Sequence, residues 1–147
     1  MTHLKAGFPA PGFQLTDQNG NQRNLAEYRG KNLVLFFYPH DDDPAAASEA
    51  RAFAQQLQQF RQTKAEVVGV SVDDAGKHQT LAQKNQIKYP LLSDPARKAI
   101  KAYGVMRGDA AASEAFLIDK DGKIVKTYQN TSAKHVNEIL HDCRHVK

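Results

Sequence analysis

Residues 33–51 read LVLFFYPHDDDPAAASEAR, and their order decides the fold. Leu33 to Tyr38 is an unbroken apolar run without alternation, the pattern of a central strand buried on both faces. Pro39 ends it. Asp43-Pro44 then opens a helix, with Asp as N-cap and Pro at the first helical position. Ala45, Ala46 and Ala47 favour helix, and apolar residues recur at helical spacing through Phe53, Leu57 and Phe60.

The rest of the chain extends that unit. Val67 to Val72 (VVGVSV) is a second buried strand, so the helix between becomes a right-handed parallel crossover. A polar helix follows over Ala75–Gln86. Pro90 to Asp94 reads as a short strand leading into a helix from Ala96 to Tyr103. Ala115–Asp119 and Lys123–Tyr128 flank Asp121-Gly122, a hairpin pair. Phe13–Thr16 and Gln22–Leu25 flank Asn19-Gly20, an amino-terminal hairpin. A last helix spans Ala133 to His141. The expectation is an α/β fold: a mixed central sheet with helices on both faces, in one domain over residues 1–147.

Composition narrows the function. The net charge of +4, from 20 basic and 16 acidic residues, is scattered without aromatics between, a solvated surface rather than a nucleic-acid site. The longest apolar run falls far short of the roughly 20 residues a membrane span needs. The opening MTHLKAGFPAPGF lacks a signal-peptide core, so the expected location is cytoplasmic. The single cysteine, Cys143, allows no intrachain disulfide and no four-cysteine metal site. No cofactor is expected.

Eight short motifs stand in a familiar order. They are Gly7–Phe13 (GFPAPGF), Leu15–Gly20 (LTDQNG), Tyr28–Lys31 (YRGK), Phe36–Pro39 (FFYP), Gly69–Asp73 (GVSVD), Leu91–Asp94 (LLSD), Tyr103–Val105 (YGV) and Phe116–Gly122 (FLIDKDG). Together they resemble the peroxiredoxins of the AhpC/TSA superfamily over nearly the whole chain, and most of all the bacterioferritin comigratory protein type, also called PrxQ. The resemblance implies a thioredoxin-like fold and, in active members, thioredoxin-dependent reduction of hydroperoxides by a cysteine thiolate.

Carried over residue by residue, the resemblance implies a site without its chemistry. The family's Pro, Thr and peroxidatic Cys fall on Pro39, Asp43 and Ala46. The resolving Cys of many members falls on Arg51, and the catalytic Arg on Ser113. Only the proline is kept. Peroxide reduction needs an ionised, exposed sulfur, its pKa lowered by a helix N-terminus and a nearby arginine. Ala46 offers no nucleophile. A carboxylate at 43 would oppose a nearby thiolate by roughly 3–4 kcal/mol, and Ser113 removes the compensating cation. The same Asp43 suits the helix, as an N-cap contributing roughly 1 kcal/mol. The segment reads as a catalytic pocket relaxed into an ordinary helix start. The expected role is that of a non-catalytic binding or regulatory module. Phe37, Tyr38 and Pro39 form the rim that would accept a small molecule or a partner's peptide, and the resemblance implies pairing of two copies through this face. The alternative is a thiol peroxidase, either silenced by an engineered Cys→Ala change at 46 or working through Cys143.

Other candidates have plainer readings. Cys143 lies in HDCRH beside Arg144, as a reactive thiol or as part of a frayed, solvated terminal turn. His141 and His145, four apart, would share a helix face, with Cys143 pointing elsewhere, so no metal site is expected. His40–Asp43 reads as a solvated acidic turn ending in the N-cap. Arg107 would have to fold back to replace the missing cation at 113. Asp73-Asp74 reads as a cap for the next helix.

Overall fold

The computed structural model of the chain describes residues 2–146. The described residues form nine strands: β1 (Gln14–Thr16), β2 (Gln22–Asn24), β3 (Asn32–Phe37), β4 (Ala65–Ser71), β5 (Leu91–Ser93), β6 (Met106–Arg107), β7 (Ala110–Ala111), β8 (Glu114–Ile118) and β9 (Ile124–Gln129). The helices are α1 (Pro44–Gln55), α2 (Leu57–Gln62), α3 (Ala75–Asn85), α4 (Lys98–Ala102) and α5 (Val136–Cys143), with 3-10 turns at Leu25–Tyr28 and Ala133–His135.

Seven strands form one sheet in the order β2-β1-β5-β4-β3-β8-β9. β3 runs parallel to β4, and β4 to β5, as the crossover reading requires; β3–β8, β8–β9, β1–β2 and β1–β5 are antiparallel. The result is a mixed sheet flanked by helices with an amino-terminal strand hairpin, the architecture expected from the sequence.

Side chains alternate across the pleat, so β3 feeds two cores at once. Val34, Phe36 and Tyr38 pack with Phe53 of α1, Phe60 of α2, Leu81 of α3 and Ile139 of α5. Leu33, Leu35 and Phe37 pack on the opposite face with Ile100 of α4, Tyr103 and Phe116. The Phe36 ring stacks on Phe53, with centroids 4.6 Å apart. Its partner across the β3–β4 pair is Gly69, where an added Cβ would stand 2.8 Å from Phe36 Cζ.

Four elements depart from expectation. The helix through Phe60 breaks at Gln56, whose N–H bonds back to Phe53 O and tightens the last turn of α1. α4 begins only at Lys98, because Arg97 is left-handed at φ +60 and the Asp94 carboxylate takes the Lys98 and Ile100 amides instead. The last helix extends to Cys143 after the 3-10 turn that Ser132 caps. β6 and β7 form a ribbon that the sequence pattern did not predict, turned by Gly108-Asp109 with Gly108 at φ +65.

Candidate functional site

β3 delivers Pro39 to the sheet's end, and α1 begins five residues later. Asp43 adopts the extended N-cap conformation and accepts from Ala45 N at 2.9 Å, while Pro44 opens the helix. The capping read from Asp43-Pro44 is therefore present. From across the sheet, β6, β7 and the start of β8 close a cleft of about 420 Å³. It is lined by Pro39, Asp43, Arg107, Ala110 to Ser113, Asn130 and Thr131.

The fold thus brings together four of the positions singled out in the sequence, Pro39, Asp43, Arg107 and Ser113, at one cleft. The ribbon does this: the Gly108-Asp109 turn folds the segment back, so that Arg107 and Ser113 border one space. Gly-Asp between short runs was the available hairpin signal. Ala46 does not line the cleft. Its methyl is buried among the core residues beneath α1, only 3% exposed.

Two supposed rim residues are not at the rim. Phe37 and Tyr38 are fully buried, because pleat alternation sends them to the two opposite cores. Phe37 packs on Tyr103 and Phe116. Arg51 is exposed on α1 and lines a separate groove between α1 and α3, with Asp42, Lys77 and Lys84.

The acidic turn is not solvated throughout either. Asp41 is buried and accepts from Tyr38 OH at 2.7 Å, and its other oxygen lies 2.6 Å from His78 Nδ1. His78 Nε2 faces the Leu92 carbonyl at 3.0 Å. A carbonyl can only accept, so the Leu92 contact makes Nε2 the donor and turns Nδ1 toward the Asp41 carboxylate. Asp73 accepts from Asp41 N and Ser71 Oγ, leaving Asp74 alone as the α3 cap. Burial raises the Asp73 pKa, but the Ser71 hydroxyl and the Asp41 amide outweigh it and hold the carboxyl below its ordinary range.

Sequence reasoning missed Glu49. It stands one turn beyond Ala46 on the same face of α1 and is 1% exposed. Neither carboxylate oxygen has a hydrogen-bond partner among the described residues, nor has Thr131 Oγ1. Burial pushes the Glu49 pKa up to about 7; the Thr131 hydroxyl lies close enough to offset this in part but makes no well-formed bond with it. The signal was a glutamate on the apolar stripe between Ala46, Ala50 and Phe53.

Cys143 closes α5 with 2% exposure, which corrects the expectation of a frayed, solvated turn. The α5 apolar face, Val136, Ile139, Leu140 and Cys143, carries it into the core. Burial, with Asp142 beside it, pushes its pKa up to about 12. His141 and His145 face each other, ring centroids 4.7 Å apart.

Comparison with known proteins agrees with this architecture. The AhpC/TSA family profile matches residues 6–127. The chain is 35% identical over 142 residues to the chloroplastic peroxiredoxin Q of Gentiana triflora, covering 93% of this chain and 65% of that protein. To the Arabidopsis thaliana counterpart it is 38% identical, covering 93% and 66%. The chain thus spans about two thirds of the length of these relatives. Among solved structures, peroxidoxin BcpB of Mycobacterium tuberculosis superposes with a TM-score of 0.91 at 30% identity over 99% of both chains. A mutant of Xylella fastidiosa PrxQ gives 0.92 at 27% identity, over 99% and 98%. By sequence and by fold, the chain belongs to the AhpC/TSA family and, within it, to the PrxQ and bacterioferritin comigratory protein branch of the peroxiredoxins.

Proposed function

We propose that this peroxiredoxin does not reduce peroxides and acts as a binding or regulatory module, using the cleft beside α1 as its recognition site. One observation carries the reading: the cleft that gathers Pro39, Asp43 and Ser113 holds no thiol, and the chain's one cysteine is buried elsewhere. Displacement at a peroxide oxygen needs an exposed thiolate. At neutral pH a thiol with a pKa of about 12 is almost wholly protonated. A bound anion in the cleft would also meet the Asp43 carboxylate, whereas the matching arginine position is Ser113. The absence of a nucleophile leaves binding as the remaining use of a well-formed cleft. A cytoplasmic setting belongs to the same proposal, and cell fractionation checks it.

The test is hydrogen peroxide consumption in the presence of thioredoxin and its reductase. The unmodified chain and Cys143→Ser are both expected to be silent. Turnover by the former that vanishes in the latter would place peroxidase chemistry at Cys143 and end the proposal. Ala46→Cys alone is expected to stay inactive, because Asp43 opposes the thiolate, Ser113 supplies no cation, and Arg107 at the cleft is exposed and screened by solvent. Activity is expected only when Asp43→Thr and Ser113→Arg accompany it. Robust turnover by the single substitution would show that the electrostatic argument is wrong. Cys143 itself is expected to resist alkylation in the native protein and to label fully in denaturant, as mass spectrometry would read directly.

A further inference from the structure

Behind the cleft wall lie buried side-chain oxygens without a hydrogen-bond partner among the described residues. Thr131 lines the cleft, its amide donates to Ser113 O at 2.9 Å, and Glu49 sits against its side chain. Both Glu49 oxygens and Thr131 Oγ1 are buried and unpartnered among the described residues. A buried carboxylate left bare costs several kcal/mol, far more than one with a partner. Resting on the non-catalytic reading above, we propose that the cleft is a receptor for a small organic cation, a guanidinium or primary ammonium head that passes Ser113 to reach Glu49 and Thr131.

The chemistry matches group by group. An ionised carboxylate only accepts, and a guanidinium only donates, in a planar fork that fits two carboxylate oxygens. Ser113 is short, which leaves room beside Thr131. The methyl groups of Ala110, Ala111 and Ala112 provide an apolar wall for an alkyl stem, within a volume of about 420 Å³. An anion is the competing ligand, favoured by the α1 N-terminus and by Arg107. Asp43 already occupies the first-turn Ala45 amide, and its own charge faces the cleft. Arg107 is exposed, so solvent screens it, whereas the buried Glu49 is felt at closer to full strength. Besides Thr131, the titratable group facing Glu49 is Tyr89, whose hydroxyl donates to Ala50 O at 2.7 Å, while Asp43 and Arg107 line the cleft itself.

The experiment is calorimetric titration of the full chain with n-butylguanidinium, and with n-butylurea as the uncharged isostere. The cation is expected to bind at least roughly tenfold more tightly than the urea. Its affinity should rise roughly tenfold between pH values one unit below and one unit above the Glu49 pKa, because only the ionised carboxylate receives it. Glu49→Gln, which keeps the shape, is expected to erase both differences. Thr131→Val should weaken binding several-fold, and Ser113→Arg should exclude the probe by placing the chain's own guanidinium in its path. Equal binding of both probes, no binding of either, or an undiminished preference in Glu49→Gln would overturn the cation receptor. Peroxide consumption, measured on the same preparations, reports on the non-catalytic reading separately. A silent chain that ignores the cation defeats only the ligand assignment.

Discussion

Two sets of buried polar side chains surround the end of β3, and they follow opposite rules. In the first, Tyr38, Asp41, His78, Asp73 and Ser71 bond to one another, and His78 also to the Leu92 carbonyl. Its buried oxygens and nitrogens are matched. In the second, Glu49 and Thr131 lie side by side without a hydrogen bond, next to an open cleft. The first set ties the loop before α1 to α3 and β5, which is an architectural task that partners complete. The second set is a carboxylate and a hydroxyl with no partners among the described residues. Buried polar groups in proteins are nearly always paired, so the contrast separates a brace from a place where something is missing.

The sharpest way to break the comparison is to remove a partner from the matched set. His78→Ala leaves the Asp41 carboxylate buried without its nearest donor and is expected to cost about 3–5 kcal/mol in urea unfolding. A loss below about 1 kcal/mol would mean that the network is loosely held. In the unmatched set the sign reverses. The Glu49 carboxyl is raised from 4.5 to about 7, so between those values the folded state binds more protons than the unfolded. Stability therefore falls as pH rises from 4.5 to about 7 and levels off above. The accumulated penalty above pH 7 is roughly 3 kcal/mol. Glu49→Gln is expected to remove most of it, stabilising the protein in alkaline buffer while changing little near pH 4.5. A variant less stable than the parent at pH 8 would erase the distinction between the two sets. Asp43→Ala has the smallest expected effect, a loss of about 1 kcal/mol with the N-cap. That loss should be independent of the Glu49 substitution if capping and cleft are separate.

The sheet was legible because its evidence is local and periodic. An unbroken apolar run marks β3, turn pairs mark the hairpins, and Asp43-Pro44 marks the start of α1. The family motifs added the thioredoxin-like fold, while the strand order came only with the structure. What escaped the sequence was long-range. Asp41 looked like one more acid in a polar turn, and only the approach of α3 reveals His78 as its partner. Tyr38 and Phe37 seemed to be a rim because they precede Pro39, yet pleat geometry buries both. Cys143 looked terminal and wet, but the helix continued far enough to bury it. For the cleft, Pro39, Asp43 and Ser113 were foreseen from the family pattern. Glu49 was not, because a glutamate in a helix draws no attention until its surroundings are known to be dry.

The glycine opposite Phe36 has a wider reach than its size suggests. Since no methyl stands at position 69, the Phe36 ring lies down on the neighbouring strand and Phe53 settles onto it. One contact of α1 with the sheet is therefore made through a ring that lies where a side chain at 69 would stand. Alanine at 69 would bring its methyl within 2.8 Å of Phe36 Cζ and 3.0 Å of Leu91 Cδ2, so the ring that carries Phe53 would have to move.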